Sequence, residues 1–178
     1  MNDFSKFLAD QLDYSRVRLM TSLEGLTDQQ VRWQPEPQSP SIGSILLHIG
    51  RIDDLHVSRA IRKVPEVWAH EGWQTKMALP DPTQFPIELG WTADDPSAAG
   101  SSVTLEQLLA YAGATREATK RYLASASAEE LSQEVDDGLE RHKGWTAAKH
   151  IAHCALHESH HQGQIDYVKG LCLARPAA

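Results

Sequence analysis

Residues 146–170 read TAAKHIAHCALHESHHQGQIDYVKG, and this stretch decides the fold. Thr146 is an N-cap residue type and Gly170 a C-terminal stop, so the segment is expected to be one long helix. It holds five of the chain's nine histidines: His150, His153, His157, His160 and His161. A helix turns about 100° per residue, so His157 and His161, four apart, share a face. Their Cβ atoms then lie roughly 5–6 Å apart, and both rings can meet one metal ion at about 2.0–2.1 Å. His150 is nearly in line with His157 but about 10.5 Å away along the axis, too far to share that ion. His153 begins to turn aside, and His160 points off the face.

Outward from this helix, three more helical segments are expected. Residues 3–24 carry Phe4, Phe7, Leu8, Leu12, Leu19, Met20 and Leu23 at roughly helical spacing. Thr27 and Gln30 suit a short capped turn, after which Pro35, Pro37 and Pro40 break the chain. Ser41 then caps a second long helix running to about Val64, with Ile45, His48, Ile52, Leu55 and Arg59 on one face. Thr104 and Gln107 form a capping box for a third, whose buried face uses Leu105, Leu108, Leu109, Ala112 and Tyr122 up to about Ala124. A further turn is expected at Ala128–Leu131 and a loop over 134–145. Residues 65–103 contain five prolines but also Trp68, Trp73 and Trp91, and so read as an ordered crossover with a helical turn near Glu66–Glu71. The pattern is all-α: a four-helix bundle with a long crossover between helices two and three, a topology that places metal sites in its core. Residues 1–172 form one domain, and 173–178 a tail.

An H-x-x-x-H pair arises easily in a histidine-rich chain. Here it gains weight because His48 sits on the buried stripe of another helix, where an unpartnered imidazole is costly. His48, His157 and His161 are therefore the candidate metal ligands. For His56, His70, His142, His150, His153 and His160 the expected reading is a surface or hydrogen-bonded core histidine. Cys154 is expected as a small buried residue, and the Asp53-Asp54 and Asp136-Asp137 pairs as solvated charge.

His157 to His161 also spells H-E-x-x-H, the zincin pattern in which two histidines bind zinc and the Glu activates water. The context argues against a protease: Gln164 and Tyr167 stand where the longer metzincin form needs Gly and His, and no Glu or His follows His161. Glu158 remains the one candidate catalytic group, with a solvated helix carboxylate as the equal alternative.

Composition sets the remaining limits. The chain has 178 residues, 41% of them apolar, and a net charge of −7 with His neutral. That balance argues against a nucleic-acid partner, which needs a surplus of Lys and Arg. Asp3, Lys6 and Asp10 interrupt the first residues, so no signal-peptide core is expected there, and no stretch is long enough to span a membrane. Two cysteines, Cys154 and Cys172, offer no disulfide framework, which fits the cytoplasm.

Two segments carry a family likeness. Ser41-Ile42-Gly43-Ser44-Ile45-Leu46-Leu47-His48 resembles the second helix of the DinB-like superfamily of small bacterial metal-binding bundles. His157-Glu158-Ser159-His160-His161-Gln162-Gly163-Gln164-Ile165 resembles its last-helix signature, and Trp33 ahead of Pro35 is also similar. The resemblance spans essentially the whole chain apart from 65–103. It implies one zinc or nickel ion held by His48, His157 and His161, and often a homodimer. It also implies a small-molecule substrate, since relatives include S-transferases and isomerases that use low-molecular-weight thiols, along with metal-dependent hydrolases and proteins of no known activity. Three neutral imidazoles leave an ion with open positions, as in catalytic sites. Such an ion acidifies a thiol or a water, so thiol transfer, hydrolysis and a non-catalytic stress-response role all remain open, with thiol chemistry first on family grounds.

Overall fold

The structure is a computed structural model and describes residues 1–79 and 103–175. Among the described residues it is helical with no strands; an isolated bridge joins Glu134 and Thr146. Four long helices dominate: α1 (Asp3–Leu23), α3 (Ile42–Asp54), α6 (Leu105–Ser125) and α8 (Ala147–Leu173). Short helices lie between them: α2 (Asp28–Arg32), α4 (Val67–His70), α5 (Trp73–Lys76) and α7 (Ala128–Ser132).

Local chemistry sets most starts. The Thr27 and Thr104 side chains accept from the Gln30 and Gln107 amides in reciprocal capping boxes, and Ser41 and Thr146 cap α3 and α8 through the amides of Ser44 and Lys149. One expected stop does not hold. Gly170 continues in helix and α8 ends at Leu173, because nothing there demands a left-handed residue.

The long helices close a ring, α1 on α8, α8 on α3, α3 on α6 and α6 on α1. α1 runs parallel to α8 (Ser15 meets Glu158, Lys169 meets Glu24), and α3 runs parallel to α6 (Gly50 meets Tyr111, Asp53 meets Arg116). α3 is antiparallel to α8. The expected crossover falls largely in 80–102, outside the described residues, as does Trp91. Its described beginning is ordered: Trp68 and Trp73 are buried against Tyr111.

Two expected faces are corrected. On α1, Phe4, Phe7 and Met20 are exposed, and the buried stripe is Leu8, Leu12, Ser15, Leu19 and Leu23. On α3, the helix becomes a π-helix over Leu55–Ile61, with Arg62 N–H donating to the Val57 carbonyl five residues back. The wider turn rotates less per residue, so the stripe slips: Arg59 is exposed, while His56, Val57 and Ala60 are buried.

The core has two apolar clusters with charge between them. One gathers Leu19, Ile45, Ile49, Tyr111 and Ile165; the other Leu8, Leu12, Val57, Leu123 and Ile151. On each long helix a polar residue separates members of the two: Ser15, Asp53, Arg116 and Glu158. The expectation of solvated Asp53 and Asp54 is thereby overturned. Asp53 pairs with Arg116 at 3.3 Å, and Asp54 accepts from the Val67 and Trp68 amides and the Tyr111 hydroxyl. Burial, the largest influence, raises the Asp53 carboxyl above its ordinary range despite Arg116.

Candidate metal centre

α3 and α8 bring together the three histidines singled out by spacing. His157 Nε2 lies 3.2 Å from His48 Nε2 and 3.0 Å from His161 Nε2. Ligand atoms of all three residues fall within 4.8 Å of one another. Two nitrogens held tetrahedrally at 2.0–2.1 Å from one ion stand about 3.3 Å apart, close to both observed separations.

At His161 the partner of the second nitrogen decides which atom faces inward, while His157 Nδ1 is buried with no hydrogen-bond partner. His161 Nδ1 lies 2.7 Å from Gln164 Oε1. A ring nitrogen facing an amide oxygen carries the proton, so His161 Nε2 presents a lone pair to the cluster. Hydrogen bonding then serves the trio poorly. A single proton on His157 Nε2 would have to reach two neighbours, whereas one cation satisfies three lone pairs together. Burial, then the adjacent His161 and His48, pushes His157 down to about 2, and burial also lowers His161. Both imidazoles are neutral at pH 7, the form that ligates a metal.

Glu158 is not part of this arrangement. One residue on from His157, it is rotated away from α3 and fully buried, at 0% exposure, against α1 and α6. Its Oε1 accepts from Ser15 Oγ at 2.8 Å, and its Oε2 accepts from Arg16 Nε and Arg116 Nη2, each at 3.0 Å. Both readings of Glu158, proton handler beside the metal and solvated carboxylate, are therefore replaced by a buried ion-pair partner. Cys154 is buried as expected, with its thiol pushed well up by burial, and is no ligand to the trio.

Gln164 has no functional signal in the sequence besides its place in the Gly-Gln stretch and its i,i+3 spacing from His161. Gln164 also lines an open cleft of about 700 Å³, with His160 and Tyr167 of α8 on one wall and Pro35, Glu36 and Ile45 on the other. The volume is that of a small-molecule site, and it adjoins the trio through Gln164. No helix among the described residues is long and apolar enough to cross a membrane.

Comparisons agree with this architecture. A crystal structure of a conserved protein from Enterococcus faecalis superposes with a TM-score of 0.80 at 24% identity, covering 98% of this chain and 99% of that one. At that identity the likeness speaks to the fold. No curated protein matches the sequence. The profile of the DinB superfamily matches residues 11–165, most of the chain, and the chain therefore belongs to the DinB superfamily.

Proposed function

We propose that this protein is a four-helix bundle with a long crossover that holds one divalent ion, zinc or nickel, on His48, His157 and His161, and uses it to activate a small thiol for S-transfer or isomerisation. The observation that carries the reading is the convergence of three imidazole nitrogens, with separations of 3.0 and 3.2 Å at His157. When bound, such an ion supplies Lewis acidity that favours the deprotonated form of a thiol or a water in its open positions. The chain's own residues do the rest. His48 and His157 fix the donor geometry from two helices, Gln164 orients His161, and the cleft beside Gln164 takes the substrate. Three ligands rather than four leave room for a substrate.

Homodimer formation belongs to the same reading. Phe7, Tyr14 and Val17 of α1 and Leu156 and Tyr167 of α8 are exposed apolar side chains, which a second copy would cover.

The test pairs metal analysis with a thiol-dependence screen. His161→Ala should lose one metal equivalent relative to the parent. Turnover of an electrophile should require an added small thiol and vanish in His48→Ala. Thiol-independent ester hydrolysis lost in His48→Ala would move the reading to a hydrolase, and turnover in neither assay to a non-catalytic metal-binding protein.

A further inference from the structure

Two turns from the trio, a second set of ligand groups meets. Ligand atoms of His56, Asp137, His142 and His150 all lie within 4.8 Å of one another. We propose that these four residues form a second divalent-metal site, closed and structural, which staples the 134–146 loop to α8 and the π-helical turn after α3.

Three separate segments converge to make it. The π-helix turns His56 inward, where its Nδ1 meets His150 Nδ1 of α8 at 2.7 Å. Asp137 Oδ1 accepts from the Leu139 amide, and Oδ2 faces His142 Nδ1 at 2.5 Å. Arg141 Nε donates to His142 Nε2 at 3.3 Å, so without metal Nδ1 carries the ring proton and donates it to Asp137; ligation through Nδ1 would move that proton to Nε2 and release Arg141. Trp145 closes the outside, its ring 4.2 Å from His142 and 5.2 Å from His150, with Lys149 over its face. Lys63 ties the same loop by donating to the Asp136 carbonyl.

Hydrogen bonding pairs the facing atoms two by two, His56 with His150 and His142 with Asp137, while all four residues lie close enough to share one cation. His150 is wholly buried, and its Nε2 has no hydrogen-bond partner, whichever way the His56–His150 proton lies. Crowding three imidazoles and a carboxylate away from water is costly, and a cation shared through the facing nitrogens and the Asp137 carboxylate offsets that cost. Burial pushes His56 down to about 3, leaving it neutral and able to ligate at pH 7. The donor count separates the two centres. Three half-buried histidines beside a cleft make an open site, whereas three buried histidines and one carboxylate supply the four donors of a closed one. A saturated site contributes to folding rather than to chemistry. His153 stands between the centres, its ring 5.6 Å from His157 and 5.2 Å from His56.

The experiment is zinc titration of the metal-free full-length chain, with hydrogen exchange over residues 134–146. The parent should bind two equivalents, and His142→Ala and His161→Ala one each. Asp137→Asn, which keeps the shape and the Leu139 contact, should weaken one equivalent by at least about 10-fold. Zinc should slow exchange over 134–146 in the parent and in His161→Ala, and not in His142→Ala. A folded Asp137→Asn or His142→Ala protein with two undiminished equivalents overturns the proposal. So does a parent whose single equivalent disappears in His161→Ala. A single equivalent that survives His161→Ala and weakens in Asp137→Asn upholds this site and removes the thiol-activating one.

Discussion

Glu158→Gln separates the ion-pair role of this carboxylate from the H-E-x-x-H role its position spells. Oε2 is shared by Arg16 and Arg116, with side-chain exposures of 16% and 5%. Glutamine keeps the volume but removes the charge, and it risks turning an N–H₂ group toward two guanidinium groups. Arg16 can recover some hydration, so its share is small. Arg116 cannot, and retains Asp53 at 3.3 Å and the Leu12 carbonyl. Breaking a buried pair costs about 3–5 kcal/mol, and the surviving Asp53 contact places this case near 3. That is a drop in Tm of roughly 6–12 °C for a chain of this size. Urea unfolding of metal-free protein measures it, and zinc titration should show affinity at the histidine trio unchanged. Adding Arg116→Met should recover part of the loss, because the uncompensated guanidinium goes with it. Stability within about 0.5 kcal/mol of the parent, accompanied by a 10-fold loss of zinc affinity, would refute the reasoning and return Glu158 to the metal chemistry.

Three further outcomes are expected. Gly50→Ala places a Cβ 2.9 Å from Tyr111 Cε1 where α3 and α6 touch, so chemical denaturation should show a loss of about 1–3 kcal/mol. Gln164→Leu frees the His161 ring and should weaken zinc binding about 10- to 100-fold by calorimetry, with the unfolding midpoint of metal-free protein little changed. His56 binds fewer protons folded, at about 3, than unfolded, at 6.5, so its contribution to stability is present above pH 6.5 and fades as pH falls toward 3. Metal-free parent should therefore lose about 1.4 kcal/mol per pH unit more than His56→Asn across that window, and equal slopes would contradict the burial argument.

Much of the architecture was legible locally. Thr27, Ser41, Thr104 and Thr146 announce helix starts because a cap involves side chains and amides only a few residues apart. His157 and His161 were selectable because one helix sets their spacing, and His48 because it follows buried Ile45 by three residues, on what the structure shows to be the half-buried edge of that face. Beyond Leu55 the α-helical phase fails, and with it the expectation that Arg59 shares a face with His48.

Sequence alone therefore determined the four long helices, the caps at Thr27, Ser41, Thr104 and Thr146, and the choice of the three histidines of the trio. Tertiary structure decided the environment of every other charged or ligating group. Asp53 and Glu158 look like surface charge until α1 and α6 supply Arg16 and Arg116, and His56, His142 and His150 look ordinary until the 134–146 loop folds over α8. Helix periodicity reports which side of a helix is apolar. It carries no information about which partner, 42 to 142 residues away, will neutralise a charge or complete a cluster, because that depends on how helices pack.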